Sequence, residues 1–196
     1  MEDQILDSSL SQQDGPGTSH LVYSTFGSRL GAAIIDGLIV SVVTGICLVV
    51  NSFDKSTYFI TTPLQIAFLL FYHVYLVQAS GATPGKKVVN LKIVRLDGTD
   101  VAWKEAIMRY LPLLILGVMS QLITVASVMA MDADYYEELS WMQRTTQIGE
   151  TYPLANQAIQ WINIIWILAD IIVFFTNDQR RALHDKIADT VVISTK

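Results

Sequence analysis

A chain of 196 residues fits one domain, or one compact body with a tail, and is too short for two ordinary domains. Its residues are 52% apolar and only 16% charged, with a mean hydropathy of +0.41, which argues against an ordinary soluble domain. The net charge of −5 disfavours nucleic acid as a partner, and a lone cysteine, Cys47, excludes a disulfide framework or a cysteine-based zinc site.

In chain order, residues 1–28 are polar and begin with Glu2, Asp3, Asp7 and Asp14. They lack the basic start of a cleavable signal, so they are expected to form a disordered cytosolic tail, with the first helix retained. Four runs then reach the roughly 20 residues that cross a hydrocarbon core: 30–50, 60–79, 110–131 and 158–176. Lipid offers no partner to free backbone groups, so each run is predicted to be a helix. The first carries one charge, Asp36, and the second contains Gln65 and His73. The third has no formal charge, and the fourth has one, Asp170. Pro63 and Pro112 are placed in first turns, where a missing N–H costs least. The expected architecture is an all-α membrane protein with four transmembrane helices, in which residues 29–196 form the membrane domain.

Between the second and third helices, Val89, Leu91 and Ile93 alternate with Asn90 and Lys92 ahead of an Asp97-Gly98 turn. That pattern predicts a short strand, and Val191 to Ile193 offers it a partner in a small strand pair. Gly81 to Gly85, with Lys86 and Lys87, lacks the spacing of a phosphate loop, so nucleotide binding is not expected there. Trp103 to Arg109 is expected to form a lead-in helix lying at the membrane interface. Lys and Arg flank the helices unevenly, eleven against two, which places both termini and the 80–109 loop in the cytoplasm of a cell-membrane protein. The acidic loop 132–157 then faces out.

A carboxylate at mid-helix costs about 3 kcal/mol, so Asp36 should turn inward and find a partner. Arg29, seven residues earlier, lies roughly 10 Å away along the helix, too far for a direct pair. The partner of Asp36 is therefore expected on another helix or loop. Ala33, Gly37, Ser41 and Gly45 recur every four residues and predict close packing by another backbone, with the first helix central in the bundle. On the fourth helix, Asn156, Asn163, Asp170 and Asn177 are spaced by seven and, with Gln160, predict a polar stripe. Ser120, Gln121, Thr124 and Ser127 would complete a polar interior with Gln65 and His73. Two intramembrane carboxylates and an imidazole are the ingredients of a proton or cation relay. The same groups would equally serve an interhelical hydrogen-bond network.

Three segments carry a resemblance: FGSRLGAAIIDGLIV with Arg29 and Asp36, GATPGKKVVNLKIVRLDGTDVAWKEAIMRYL, and QRRALHDKIADTVVI with Asp185. In this order they resemble the RDD family of membrane proteins, named for one arginine and two aspartates. The resemblance implies a multi-pass protein whose motif residues are Arg29, Asp36 and Asp185, with transport often suggested. It also leads to the expectation that Asp185 meets Arg29. Asp189 departs from the glycine that the family pattern carries there.

Two functions follow as expectations. The first is transport of protons or small cations through a homo-oligomer, with Asp36, Asp170, His73, Asn163 and Gln121 as pathway residues. The second is a non-catalytic membrane partner or assembly protein whose polar groups serve helix packing. No hydrolase elbow, His-Glu-x-x-His pair or dinucleotide fingerprint is present, so neither catalysis nor a cofactor or metal is expected. The lipid bilayer is the expected surrounding.

Overall fold

The computed structural model describes residues 22–195. The first 21 residues of the expected tail lie outside the described residues, and residues 22–28 belong to the folded part. Ser24 N–H donates to Val192 O at 3.0 Å, Tyr23 bridges Ile193, and helix α1 (Phe26–Asn51) starts four residues before position 30. Thr25 caps it, its hydroxyl accepting the Ser28 N–H at 3.2 Å and so satisfying one free first-turn donor.

The second span is continuous over Lys55–Ser80 but not uniform. A 3₁₀ turn, Lys55–Thr57, leads into α2 (Tyr58–Leu70), a π turn over Phe71–Tyr75, and α3 (Leu76–Ser80). Gly81 ends it at φ +70°, where a Cβ would stand 2.9 Å from Lys92 Cε. Then follow α4 (Pro84–Val88), β1 (Leu91–Arg95), α5 (Trp103–Met129), α6 (Ala133–Glu138), α7 (Trp141–Thr151), α8 (Pro153–Phe175), α9 (Leu183–Ile187) and β2 (Thr190–Ser194). The strands pair antiparallel, from Leu91 opposite Ser194 to Arg95 opposite Thr190, as the alternation predicts.

Among the described residues, four helices are thus long and apolar enough to cross a membrane, joined at one end by a small two-stranded sheet. Several expectations need correction. Trp103 to Arg109 is no separate interface helix but the first two turns of α5. Pro63 and Pro112 lie inside their helices rather than in first turns. Such prolines are tolerated in membrane helices, where neighbours and local adjustments re-satisfy the freed backbone groups. The central helix is α5, which packs against the π turn, α7, α8 and α9, whereas α1 packs on α2 and α4. Positions 37 and 45 on the small-residue stripe have open space where a Cβ would be, so among the described residues no helix packs closely on the stripe there.

Burial concentrates at the two ends. Ala32, Val77, Ile93, Ala106 and Val192 are among the core beneath the sheet, and Tyr58, Val128, Met131 and Tyr136 form a second cluster under α6. Between them, Leu38, Val42, Ile46, Ile165 and Leu168 are exposed, as a lipid-facing belt requires. The end carrying the sheet also carries Arg29, Lys86, Arg109 and Arg181.

Candidate functional site

The stretch Gly81 to Lys86 folds back onto α1 because of its composition. Gly81 turns the chain, Thr83 is extended, and Pro84 starts α4 with φ already set. The result is a clasp on Asp36. Its Oδ1 accepts from Tyr72 Oη at 2.6 Å and from the Gly85 N–H at 2.7 Å, and its Oδ2 accepts from Thr83 Oγ1 at 2.6 Å. Lys86 Nζ lies further off, 3.8 Å from Oδ2. Only glycine fits at 85: a Cβ would collide with the Ala32 carbonyl oxygen and stand 2.6 Å from Asp36 Oδ1. The close backbone approach expected at the small-residue stripe occurs here instead. The π turn adds to the arrangement by holding Tyr72 towards α1 and His73 flat against Tyr110, with ring centroids 4.7 Å apart.

A second junction forms around Asp185, which is fully buried. Arg29 Nη1 reaches its Oδ2 at 2.5 Å, the Ala182 N–H donates to the same oxygen at 3.0 Å, and Arg109 Nη1 pairs with Oδ1. Arg29 also donates to Ser24 Oγ at 2.8 Å and to Arg180 O at 2.8 Å, and stacks over Phe174. Burial pushes the Asp185 carboxyl up, but the Arg109 and Arg29 guanidiniums outweigh it and hold it well below the ordinary carboxylate range. Arg109 donates further to Thr190 Oγ1 at 2.9 Å and reaches His184 Nε2 at 3.0 Å. On the other side of that ring, Nδ1 is 2.7 Å from Asp170 Oδ1. An arginine can only donate, so Nε2 accepts and the proton is assigned to Nδ1, directed at Asp170. The family-pattern departure is also explained: Asp189 sits at φ +51°, a left-handed position that glycine occupies without strain, with its carboxylate 3.5 Å from Arg181 Nη2.

These groups surround two adjoining spaces. A cavity of about 400 Å³ is lined by Asp36, His73, Thr83, Lys86, Arg109 and His184 among others. A cleft of about 260 Å³ between α1 and α8 is lined by Phe26, Arg29, Lys86, Asp170, Phe174 and His184 among others. Asp36, His73 and Asp170 are therefore brought to one end of the bundle. Gln121 and Asn163 are not. Gln121 Nε2 donates to Gln65 Oε1 at 2.8 Å beside a separate space of about 270 Å³ towards the other end, and Asn163 Nδ2 bonds back to Ile159 O of its own helix at 2.9 Å. The rest of the expected α8 stripe is local too, with Asn156 bonded to Gly149 O at 3.0 Å and Asn177 beyond the helix end. Ser127 and Thr124 likewise bond to carbonyls of α5. The residues that sequence reading passed over are Tyr72, Thr83, Gly85, Lys86, Arg109 and His184. The Gly-x-Thr-x-Gly-Lys spacing was the available signal for three of them.

The clasp predicts opposite outcomes for two substitutions of Asp36. Asn keeps an acceptor for Tyr72 and Gly85, so it is expected to lower the thermal stability of the detergent-solubilised protein by only about 1–2 kcal/mol. Leu leaves three buried donors unpaired and is expected to abolish monodisperse protein on size exclusion. Equal behaviour of the two would show that the clasp contributes little.

The family model described as RDD family matches residues 23–189, which takes in both junctions and all four spans. No curated protein and no solved structure matches the chain.

Proposed function

The chain belongs to the RDD family, and on that premise we propose that it moves protons or small cations across a cell membrane as a homo-oligomer, without catalysing a reaction, its basic end in the cytoplasm. The observation that carries this reading is the convergence of Asp36, His73, Lys86 and His184 on one cavity, with Asp170 lining the adjoining cleft. Ionisable groups at membrane depth are costly, and they gather where they line a pathway or pair with one another. The oligomer follows from helix number: four spans with an uncovered face on α1 enclose little by themselves. Orientation follows from the basic residues gathered at the sheet end.

A second reading has its own support. Asp36 has three donors, Asp170 has His184, and Asp185 has two arginines, so each acid already has a structural partner. An assembly protein that docks another membrane protein would use the same groups to hold its shape.

Water access separates the two. In a Cys47→Ala background, Val40→Cys and Leu113→Cys place thiols on the cavity wall. The transport reading expects both to react with a hydrophilic, membrane-impermeant thiol reagent applied from the cytoplasmic side, while lipid-facing Leu168→Cys does not. Absence of reaction at both wall positions from either side would favour the assembly reading.

A further inference from the structure

The cavity and the cleft share Lys86, Arg109, His184 and Ala33 in their linings. Three of these can bear charge, and their situations differ. Arg109 never gives up its proton and is tied to Asp185 and Thr190. His184 has both ring nitrogens engaged, one with Asp170 and one with Arg109. Lys86 is held loosely. Its Nζ lies 3.4 Å from Thr83 Oγ1 and 3.8 Å from Asp36 Oδ2, well beyond the roughly 2.7–2.9 Å of a charge-assisted hydrogen bond. Asp36 meanwhile accepts three shorter bonds. The ammonium therefore has a long hydrogen bond to Thr83, a loose ion pair with Asp36, and an outlook onto both spaces.

Resting on the transport reading, we propose that Lys86 is the group that takes up and releases the proton at this site, and that Asp36 and Thr83 are positioning residues that keep its Nζ between the two spaces. In the uptake step the Nζ lone pair forms an N–H bond as an O–H bond of hydronium in one space breaks, its electron pair staying on oxygen to leave water. In the release step an N–H bond breaks, the electron pair stays on nitrogen, and the proton passes to water in the other space. The surroundings make both states accessible. Burial pushes the Lys86 ammonium down to about 8, repulsion from Arg109 adds to this, and Asp36 and Asp185 oppose it.

The groups around Lys86 come from every neighbouring element. Asp36 and Arg29 face it from α1, and His73 from the π turn. Arg109 and Tyr110 face it from α5, Asp170 from α8, and His184 and Asp185 from α9. Arg29 and Arg109 stay charged throughout, and Asp185 is held ionised by them. Between pH 7 and 9, about the span that matters here, Lys86 is the described group at this junction whose hydrogen bonds leave its proton free to exchange.

The test uses the full chain. Proton flux into proteoliposomes under an imposed pH gradient is measured for wild type, Lys86→Arg and Lys86→Gln, each checked for monodispersity. Arg keeps the charge but not the exchangeable proton, and Gln keeps neither, so both are expected to lose flux by about 100-fold. In parallel, acylation of wild-type lysines by a small amine reagent is followed across pH by peptide mapping. Lys86 is expected to reach half-reactivity near pH 8, about two units below the ordinary lysine value. Flux in Lys86→Arg equal to wild type in rate and pH profile would overturn the assignment and leave transport standing. So would a Lys86 reactivity curve centred at the ordinary lysine value of about 10.4, a measurement that needs no variant to fold. If wild type itself moves no protons and no tested cation, the transport reading falls, and the role of Lys86 falls with it.

Discussion

Gly85→Ala is expected to destabilise the protein by about 3 kcal/mol or more, enough to remove the folded species from detergent solution. The added methyl would have to occupy the space of the Ala32 carbonyl oxygen and of Asp36 Oδ1. Both neighbours are held: one is helix backbone, and the other is a carboxylate fixed by three hydrogen bonds. Relief requires α4 to move off α1, which also takes the Gly85 N–H and Thr83 hydroxyl away from Asp36. Gly117→Ala is the control, because a Cβ there meets nothing within 4 Å, and alanine favours the helix. Thermal unfolding followed by size exclusion should separate the two variants clearly. Similar losses in both would mean that the close approach at Gly85 is not what binds the loop to the helix.

How much of this was legible in the sequence depends on the range of the interaction. The four spans follow from apolar runs, and the strand pair from local alternation, because both signals lie within a few adjacent residues. Arg29 meeting Asp185 followed from the family pattern. The clasp did not, although Asp36 was rightly assigned a partner on another segment. Its donors, Tyr72, Thr83 and Gly85, come from a π turn and a re-entrant loop, and neither has a periodicity that points at α1. Nothing in the sequence joins Arg109 to His184, since one-dimensional spacing cannot place α5 beside α9. The polar stripe on α8 is the converse case. Its seven-residue spacing is real, but Asn163 can satisfy itself on its own helix, so a shared face did not become a shared site.

Asp185→Asn is the second large effect, on the order of 3–5 kcal/mol, because it leaves the buried Arg109 and the half-buried Arg29 without their common counter-charge. The pH dependence has a definite sign. The folded carboxyl is held below its unfolded value of about 3.9, so its contribution is present at neutral pH. It begins to be lost only as the pH falls below about 3.9, where the unfolded chain binds the proton first. Acid titration of stability should therefore show a loss in wild type below that point and a flatter profile in Asp185→Asn. A wild-type stability that already declines between pH 7 and 5, about two units above that range, and an Asn variant that matches it, would contradict the doubly paired carboxylate.

The most direct measurement for the transport account is cation and proton movement by the wild-type chain alone, purified and reconstituted into sealed liposomes. A proton gradient is imposed, internal pH is read with an enclosed dye, and sodium, potassium and lithium are added outside in turn. The account predicts protein-dependent dissipation of the gradient, by protons alone or in response to one of the cations, that rises as the pH approaches 8. Rates no greater than those of protein-free liposomes for protons and for all three cations, from a preparation shown to be folded, would contradict it.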